Sequence, residues 1–155
     1  MSVSLPNFDR GLGFVLNDVS RLLRREFERR VRGFGLTRAQ WMLLFYVARQ
    51  PGASQSDLAE ILQQEKITVS RQAARLEKNG WLERLDHAAD GRAYRLQLTP
   101  KARDMVVRLS LVADELRVDA LSGLPSARRE ALINDLLKVK SNLLRMPVAG
   151  RGSIS

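Results

Sequence analysis

The 155-residue chain contains no cysteine and one histidine, His87. Without cysteine, the protein has no disulfide framework, no cysteine nucleophile, no thiolate ligand and no thiol-based redox switch. Any metal site would depend on carboxylates, and the usual groups for acid–base and nucleophilic catalysis are scarce. We therefore expect no catalytic residues, no metal site and no cofactor.

Long hydrophobic runs are also missing. The longest apolar run, residues 41–48, has eight residues, whereas a membrane-spanning helix needs about 20. The first residues show no basic segment followed by an apolar stretch, so the sequence predicts no signal peptide. These features favour a soluble cytoplasmic protein without a membrane partner.

Acidic residues are too few to balance the basic ones. The chain has 26 Lys and Arg residues against 17 Asp and Glu, which gives a formal net charge of +9. Such an excess is typical of proteins that bind nucleic acid or an anionic membrane surface. However, residues 54–98 hold seven basic and seven acidic residues, so most of the excess lies outside the middle of the chain.

The remaining sequence is organised by hydrophobic periodicity. Apolar residues at steps of three and four predict amphipathic helices over about 8–34, 37–50, 55–62, 67–79, 99–121 and 126–144. Ser54 with Asp57 three residues later, and Thr99 followed by Pro100, are typical helix starts. Two short segments, 81–85 and 94–98, instead show apolar residues in alternation, with Trp81 and Leu85 on the first. The polar segment between them contains Asp-Gly, which predicts a β-hairpin.

Two short helices followed by a hairpin are the order of a winged helix-turn-helix. The fold class expected is mostly α with a small β-hairpin wing, plus a helical dimerisation region. We assign 1–36 to an N-terminal dimerisation helix, 37–99 to the winged helix-turn-helix and 100–145 to C-terminal dimerisation helices. Residues 146–155 are expected to form a flexible tail.

The second of the two short helices would be the one that enters the DNA major groove. Val69, Ala73 and Leu76 are spaced to face inward, which leaves polar side chains on the other faces. Such side chains can bind base edges and phosphates, but they are equally compatible with an ordinary solvated face. The candidate DNA-binding residues on this helix are Lys66, Thr68, Ser70, Arg71, Gln72 and Arg75.

Four short motifs in residues 36–99 resemble those of the MarR family of bacterial transcription regulators. Residues 90–99, DGRAYRLQLT, fit the family's wing pattern D-x-R-x-x-x-x-x-L-T at every fixed position. Residues 76–82, LEKNGWL, fit its L-E-x-x-G pattern followed by two hydrophobic residues. Residues 36–41, LTRAQW, and 56–59, SDLA, resemble its L-T-x-x-Q/H-W and S-x-L-A segments. The joint order and spacing are more specific than any one motif.

This resemblance implies a homodimeric DNA-binding regulator that binds a pseudo-palindromic operator in double-stranded DNA. Arg92 near the wing tip would reach a minor groove or its phosphates, and Asp90 would hold the guanidinium in place. Arg95 is a further candidate for a phosphate contact, or a plain strand charge. Repression released by a small aromatic or phenolic anion is the family's common mode, but activators are also known.

The resemblance also implies a ligand site between the dimerisation helices and the DNA-binding unit. The matching positions are Phe14, Asn17 and Arg21 on the first helix, with Trp41 and Phe45 on the second. An arginine beside aromatic walls suits a small aromatic carboxylate, although Trp41 and Phe45 can equally be ordinary core residues. The terminal helices have more apolar surface than one chain can bury, so we expect a dimer interface around Phe8, Leu12, Val15, Leu132, Leu136, Leu137 and Leu143.

Three other classes compete with this interpretation. An enzyme is disfavoured, because the sequence shows no phosphate-binding loop, no Ser/His/Asp set and no metal-ligand spacing. A membrane-surface protein would use the arginines of the first helix, but the apolar stripe of that helix is better used in a dimer core. A winged-helix module that binds protein partners instead of DNA, without ligand control, remains open.

Overall fold

The computed structural model describes residues 8–86 and 94–147. Within them lie the helices and strands α1 (Leu12–Val31), α2 (Arg38–Arg49), α3 (Gln55–Leu62), α4 (Lys66–Lys78), β1 (Leu82–Asp86), β2 (Tyr94–Leu98), α5 (Pro100–Ala120) and α6 (Ser126–Arg145). Single-turn 3-10 helices, Phe8–Arg10 and Arg32–Phe34, precede and follow α1. The chain divides into two compact units, with the boundary between Leu116 and Arg117 inside α5.

Side-chain caps fix the starts of α2 and α3. The Gln40 backbone N–H donates to Thr37 Oγ1 at 3.4 Å, and the Thr37 backbone N–H donates to Gln40 Oε1 at 2.8 Å. Ser54 and Asp57 form the same reciprocal capping box at α3, which satisfies donors that have no partner inside the helix. Because the Ser54 hydroxyl and backbone N–H both donate to the Asp57 carboxylate, they hold the pKa of Asp57 below its ordinary value.

The turn between α3 and α4 contains an unusual backbone conformation. Gln63, which follows α3, has φ 52° and ψ 43°, the left-handed region. In this conformation the N–H groups of Gln63 and Gln64 donate to Glu60 and Ala59 carbonyls at 3.1 and 2.9 Å. The chain therefore leaves α3 and enters α4 within a few residues, as a helix-turn-helix requires.

The main core of the first unit lies between α2, α3, α4 and the hairpin. Its members are apolar residues with little or no exposed surface, chiefly Leu43, Leu44, Val47, Leu58, Val69, Ala73, Leu76, Leu82 and Leu96. The buried residues of α2 and α4 lie three or four positions apart, as the hydrophobic periodicity predicts. The predicted winged helix-turn-helix arrangement, mostly helical with a small hairpin, is confirmed.

The hairpin corrects one expectation about β1. Leu82 pairs with Leu98 and Arg84 with Leu96, so Leu82 shares the inner face with the two β2 leucines. Leu82 is 2% exposed, whereas Leu85 is 43% exposed. The sequence predicted that Trp81 and Leu85 form the apolar face of this strand. That prediction is wrong, because the strand begins at Leu82, one residue later, and Leu82 is the residue on the inner face. Trp81 still belongs to the turn that ends α4.

A second core cluster in the first unit lies between α1, α2 and α5. Phe27 and Val31 on α1 pack with Trp41 on α2 and with Met105 and Leu109 on α5. The Phe27 and Trp41 rings lie edge to face, with centroids 4.8 Å apart, an arrangement that aromatic pairs favour. The C-terminal end of α1 is thereby fixed, while the earlier part of this helix remains exposed.

A charged cluster lies on the exposed side of α1. The Glu26 carboxylate accepts two hydrogen bonds from Arg29, at 2.6 and 2.9 Å, and one from Arg30 at 2.9 Å. These hydrogen bonds lower the pKa of Glu26 from 4.5 to about 2, because they favour the charged carboxylate. Glu26 thus pairs with two of the arginines of α1.

In the second unit, the end of α5 is joined to α6 by a short turn. Gly123 adopts φ 82° in this turn, a conformation that glycine accepts without a steric penalty. Arg129 Nε donates to the Leu124 carbonyl at 2.7 Å and ties α6 to the turn. None of the residues of α6 is buried, and Leu132, Leu137 and Leu143 are exposed.

Candidate nucleic-acid interface

One face of α4 is anchored and the opposite face is open. Val69, Ala73 and Leu76 have no exposed surface, as the sequence predicts. Four candidate residues for DNA contacts are exposed on the same helix: Lys66, Thr68, Arg71 and Arg75. A helix held this way presents its polar side chains on a rigid support, which is what reading a groove requires.

Ser70 and Gln72, the other two candidates on α4, are half-buried. The Gln72 Oε1 atom is buried and has no hydrogen-bond partner among the described residues. A buried amide oxygen without a partner is rare in folded proteins. Gln72 is therefore less accessible than the four exposed candidates. Its contact with DNA stays a prediction.

The end of α4 explains why residues 76–82 have their pattern. Gly80 has φ 73°, and the Trp81 and Gly80 N–H groups donate to the Leu76 and Glu77 carbonyls at 2.8 and 2.9 Å. These two bonds form a Schellman motif, in which glycine takes the left-handed position. Glu77 also forms an ion pair with Arg84 of β1 at 2.8 Å. The residues of this motif thus join the end of α4 directly to the hairpin.

Arg95, the candidate on β2, lies at the base of the hairpin. Its Cδ and Nη1 atoms are 3.7 Å from the position that a Cβ on Gly52 would occupy, so the side chain extends over the turn between α2 and α3. Its backbone forms an isolated antiparallel bridge with Ser54. The sequence did not predict that Ser54 pairs with β2, because a single bridging residue leaves no periodic signal. Arg95 is exposed, and its role as a phosphate contact stays a prediction.

The other two wing candidates, Asp90 and Arg92, lie outside the described residues, as does His87. The described strands bring the chain to this segment from Asp86 and take it back at Tyr94. The proposed minor-groove contact of Arg92 therefore rests on its sequence motif.

The five candidate ligand residues fall into two groups. Phe14, Asn17 and Arg21 are exposed on α1, and Arg21 forms an exposed ion pair with Asp18 at 3.2 Å. Trp41 is 8% exposed, and its ring lies edge to face with Phe45, with centroids 5.9 Å apart. The structure thus brings Trp41 and Phe45 together in the core.

A cavity of about 270 Å³ borders the accessible part of Trp41. Its other lining residues come from the end of α1, the start of α2 and the segment between them: Glu28, Val31, Arg32, Leu36 and Arg38. Arg38 Nε lies 3.5 Å from Glu28 Oε1, and the two side chains form an ion pair. The arginines that line this cavity beside Trp41 are therefore Arg32 and Arg38, whereas the sequence suggested Arg21.

Among residues 8–86 and 94–147, no group of three or more His, Cys, Asp or Glu side chains is placed to hold a metal ion. In the same residues, no helix is long and apolar enough to cross a membrane.

An anchored helix with an open polar face, followed by a hairpin, defines the winged helix-turn-helix class of DNA-binding proteins. Comparison with known proteins agrees. Residues 34–93 match the model of the MarR family. The chain is 32% identical to the transcriptional regulator PA3341, whose crystal structure it matches with a TM-score of 0.75 over 86% of this chain and 98% of that one. The chain belongs to the MarR family of DNA-binding transcriptional regulators.

Two further solved structures share the fold. The transcriptional repressor CouR, bound to a 23-mer DNA duplex, is 24% identical, with a TM-score of 0.73 over 90% of this chain and 99% of that one. BpsR of Bordetella bronchiseptica, whose DNA binding is regulated by 6-hydroxynicotinic acid, is 24% identical, with a TM-score of 0.72 over 88% of this chain and 97% of that one.

Proposed function

We propose that the protein is a repressor that binds a pseudo-palindromic operator as a homodimer and releases it when a small aromatic anion binds. The observation that carries the DNA-binding part is the two-sided character of α4. Its inner residues are fully buried while Lys66, Thr68, Arg71 and Arg75 are exposed. This arrangement fixes the helix and leaves hydrogen-bonding side chains available to bases.

The DNA contacts divide by chemistry. Arg71 and Arg75 suit bidentate hydrogen bonds to guanine, and Thr68 and Ser70 suit shorter contacts to bases or phosphates. Lys66 and Arg95 suit phosphate contacts, and Arg92, held by Asp90, suits the flanking minor groove. The repressor CouR, which shares the fold and was solved with a DNA duplex, supports this mode of binding.

The dimer is inferred from exposed apolar surface on two helices. On α1, Leu12 and Val15 are 58% and 42% exposed. On α6, Leu137 and Leu143 are 56% and 59% exposed. Each of the two helices carries exposed apolar side chains, and apolar surface of this kind marks an interface between proteins. We assign the segments 1–36 and 100–145 to that interface.

The ligand part of the proposal uses the edge of Trp41. An aromatic acid would place its ring against Trp41 and Phe45 and its carboxylate near an arginine, for which Arg21 is the candidate from the sequence. The regulation of BpsR by 6-hydroxynicotinic acid, an aromatic acid, supports the ligand class. Ligand binding would favour a dimer whose two α4 helices are wrongly spaced for DNA.

A mobility shift on the protein's own upstream region, with a salt titration, tests the proposal. We expect binding to a duplex with half-sites about one helical turn apart. Arg71→Ala should weaken it by about 1–3 kcal/mol and alter base preference. Arg92→Ala should weaken binding to all sequences and reduce the salt dependence.

Arg49→Ala on α2 is the matched control, because it removes one exposed positive charge at a residue that is neither a candidate DNA contact nor in the segments assigned to the dimer. If both arginine variants bind operator DNA like the parent, the assignment of contacts is wrong. Capture of a protein partner with no duplex binding would instead favour a protein-interaction module. If transcription of the genes controlled by the operator falls in a strain that lacks the protein, the protein is an activator.

A further inference from the structure

The first unit contains a second cavity that the proposed function does not use. Its volume is about 420 Å³, within the range of sites for small molecules. It lies between the C-terminal end of α2, the hairpin and the first turns of α5. We call it the hairpin groove, lined chiefly by Val47, Leu85, Leu96, Arg103, Val106 and Val107.

The inner wall of the hairpin groove is preformed. Val47 is 3% exposed and Leu96 is 1% exposed, so both are held in the main core. Val107 and Leu85, which form the outer part, are 60% and 43% exposed. A ligand that enters the groove therefore meets a rigid apolar wall and covers apolar side chains that are exposed in the single chain, which favours binding.

The chemistry of the lining selects the ligand. Among the described residues that line the hairpin groove, none is aromatic and none is acidic, and the one charged side chain is Arg103. An aliphatic lining suits a flexible aliphatic body and offers no ring for stacking. The absence of acidic groups in this lining disfavours a cation, whereas a guanidinium favours a carboxylate.

Arg103 is available for that contact. Its side chain is exposed and has no hydrogen bond or ion pair with any residue in 8–86 or 94–147. Its backbone is fixed, because its N–H donates to the Thr99 carbonyl at 2.9 Å in the first turn of α5. The guanidinium can therefore pair with an anion without first breaking an ion pair in this part of the chain.

We propose that the hairpin groove binds a small aliphatic carboxylate, with the hydrocarbon chain against Val47, Leu96 and Val106 and the carboxylate paired with Arg103. The site is distinct in residues and in ligand chemistry from the one proposed beside Trp41. It does not depend on the repressor function, because binding can be measured without DNA.

Octanoate, below its micelle concentration, is the probe. Calorimetry on the full-length protein should show saturable binding, and methyl NMR should show shifts at Val47, Leu85, Leu96, Val106 and Val107. Arg103→Gln should weaken octanoate binding about 10- to 100-fold, the range expected for loss of a hydrogen bond to a charged group. Octanol should bind both proteins equally, because it lacks the carboxylate.

Arg24→Gln is the matched control, since Arg24 is an exposed arginine of α1 outside the groove, and it should bind octanoate like the parent. The proposal is overturned if octanoate does not bind, if the shifted methyl groups lie elsewhere, or if Arg103→Gln binds equally well. Intermolecular NOEs from the groove methyls to a second copy of the chain, without octanoate binding, would also overturn it. Because no DNA is present, none of these results bears on the operator experiment.

Discussion

The Thr99 hydroxyl donates a hydrogen bond to the Gly80 carbonyl at 2.8 Å, across 19 positions of sequence. Thr99 Oγ1 also accepts from the Ala102 N–H at 3.2 Å, as the N-cap of α5. One side chain thus connects the end of α4, the close of the hairpin and the start of α5. This explains why the Leu-Thr pair ends the wing motif: Leu98 is buried in the core and Thr99 joins the three elements.

Replacement of Thr99 tests this connection. Thr99→Val keeps the shape of the side chain but removes both hydrogen bonds, so we expect the free energy of unfolding to fall by about 1–2 kcal/mol. Thr99→Ser retains the hydroxyl and should remain within about 0.5 kcal/mol of the parent. Urea unfolding followed by circular dichroism measures both. Equal stability of the two variants would show that the hydroxyl does not join these elements.

The Glu26 cluster predicts an acid-dependent contribution to stability. The folded pKa of Glu26 is lowered from 4.5 to about 2, so the charged form is favoured by folding. Its contribution is fully present above pH 4.5 and is lost as the pH falls toward 2. Carboxyl-carbon NMR should show the low pKa directly. Glu26→Gln should remove this part of the pH dependence, and an ordinary Glu26 titration near 4.5 would contradict the prediction.

The dimer proposal predicts that one charge on the exposed apolar surface separates the chains. Leu137→Glu should shift the protein from dimer to monomer at micromolar concentration, because the carboxylate would be desolvated in an interface. Gln50→Glu adds the same charge at an exposed polar position outside the segments 1–36 and 100–145 and should leave the dimer intact. Light scattering after size exclusion measures the mass. A stable folded monomer of the parent protein would refute the proposal.

The ligand proposal predicts that salicylate releases the operator and that Arg21→Ala abolishes this response while retaining DNA affinity. The reason is that Arg21 is the proposed partner of the carboxylate. Arg24→Ala is the control, because it removes a neighbouring exposed arginine of α1. Calorimetry and tryptophan fluorescence measure salicylate binding. Unchanged binding to Arg21→Ala would move the ligand elsewhere, for instance to Arg32 and Arg38 beside Trp41.

Much of the fold could be predicted because its signals are local. Ser54 and Asp57 are three residues apart and form the capping box that their spacing indicates. The inward positions of α4 follow from helical periodicity alone. The face of β1 could not be predicted in the same way, because a five-residue strand gives little periodicity and a shift of one residue inverts its faces.

The candidate site was less predictable, since contacts between distant residues decide it. Nothing in the sequence indicates that Arg95 extends over Gly52, or that Arg32 and Arg38, rather than Arg21, border the cavity beside Trp41. The alternative interpretation of Trp41 as a core residue agrees with its edge-to-face contacts. The DNA-contact residues remain predictions, and those at Asp90 and Arg92 rest on the motif.

The left-handed conformation of Gln63 has a consequence for how this protein can change. A residue with a Cβ is less stable in that conformation by about 1–2 kcal/mol, yet it occupies the turn that sets α3 against α4. Glycine at this position would relieve the strain and could add stability without altering a buried contact. The stability gained in this turn would offset destabilising substitutions elsewhere in the protein, including substitutions on the exposed face of α4, which is the proposed DNA-contact surface.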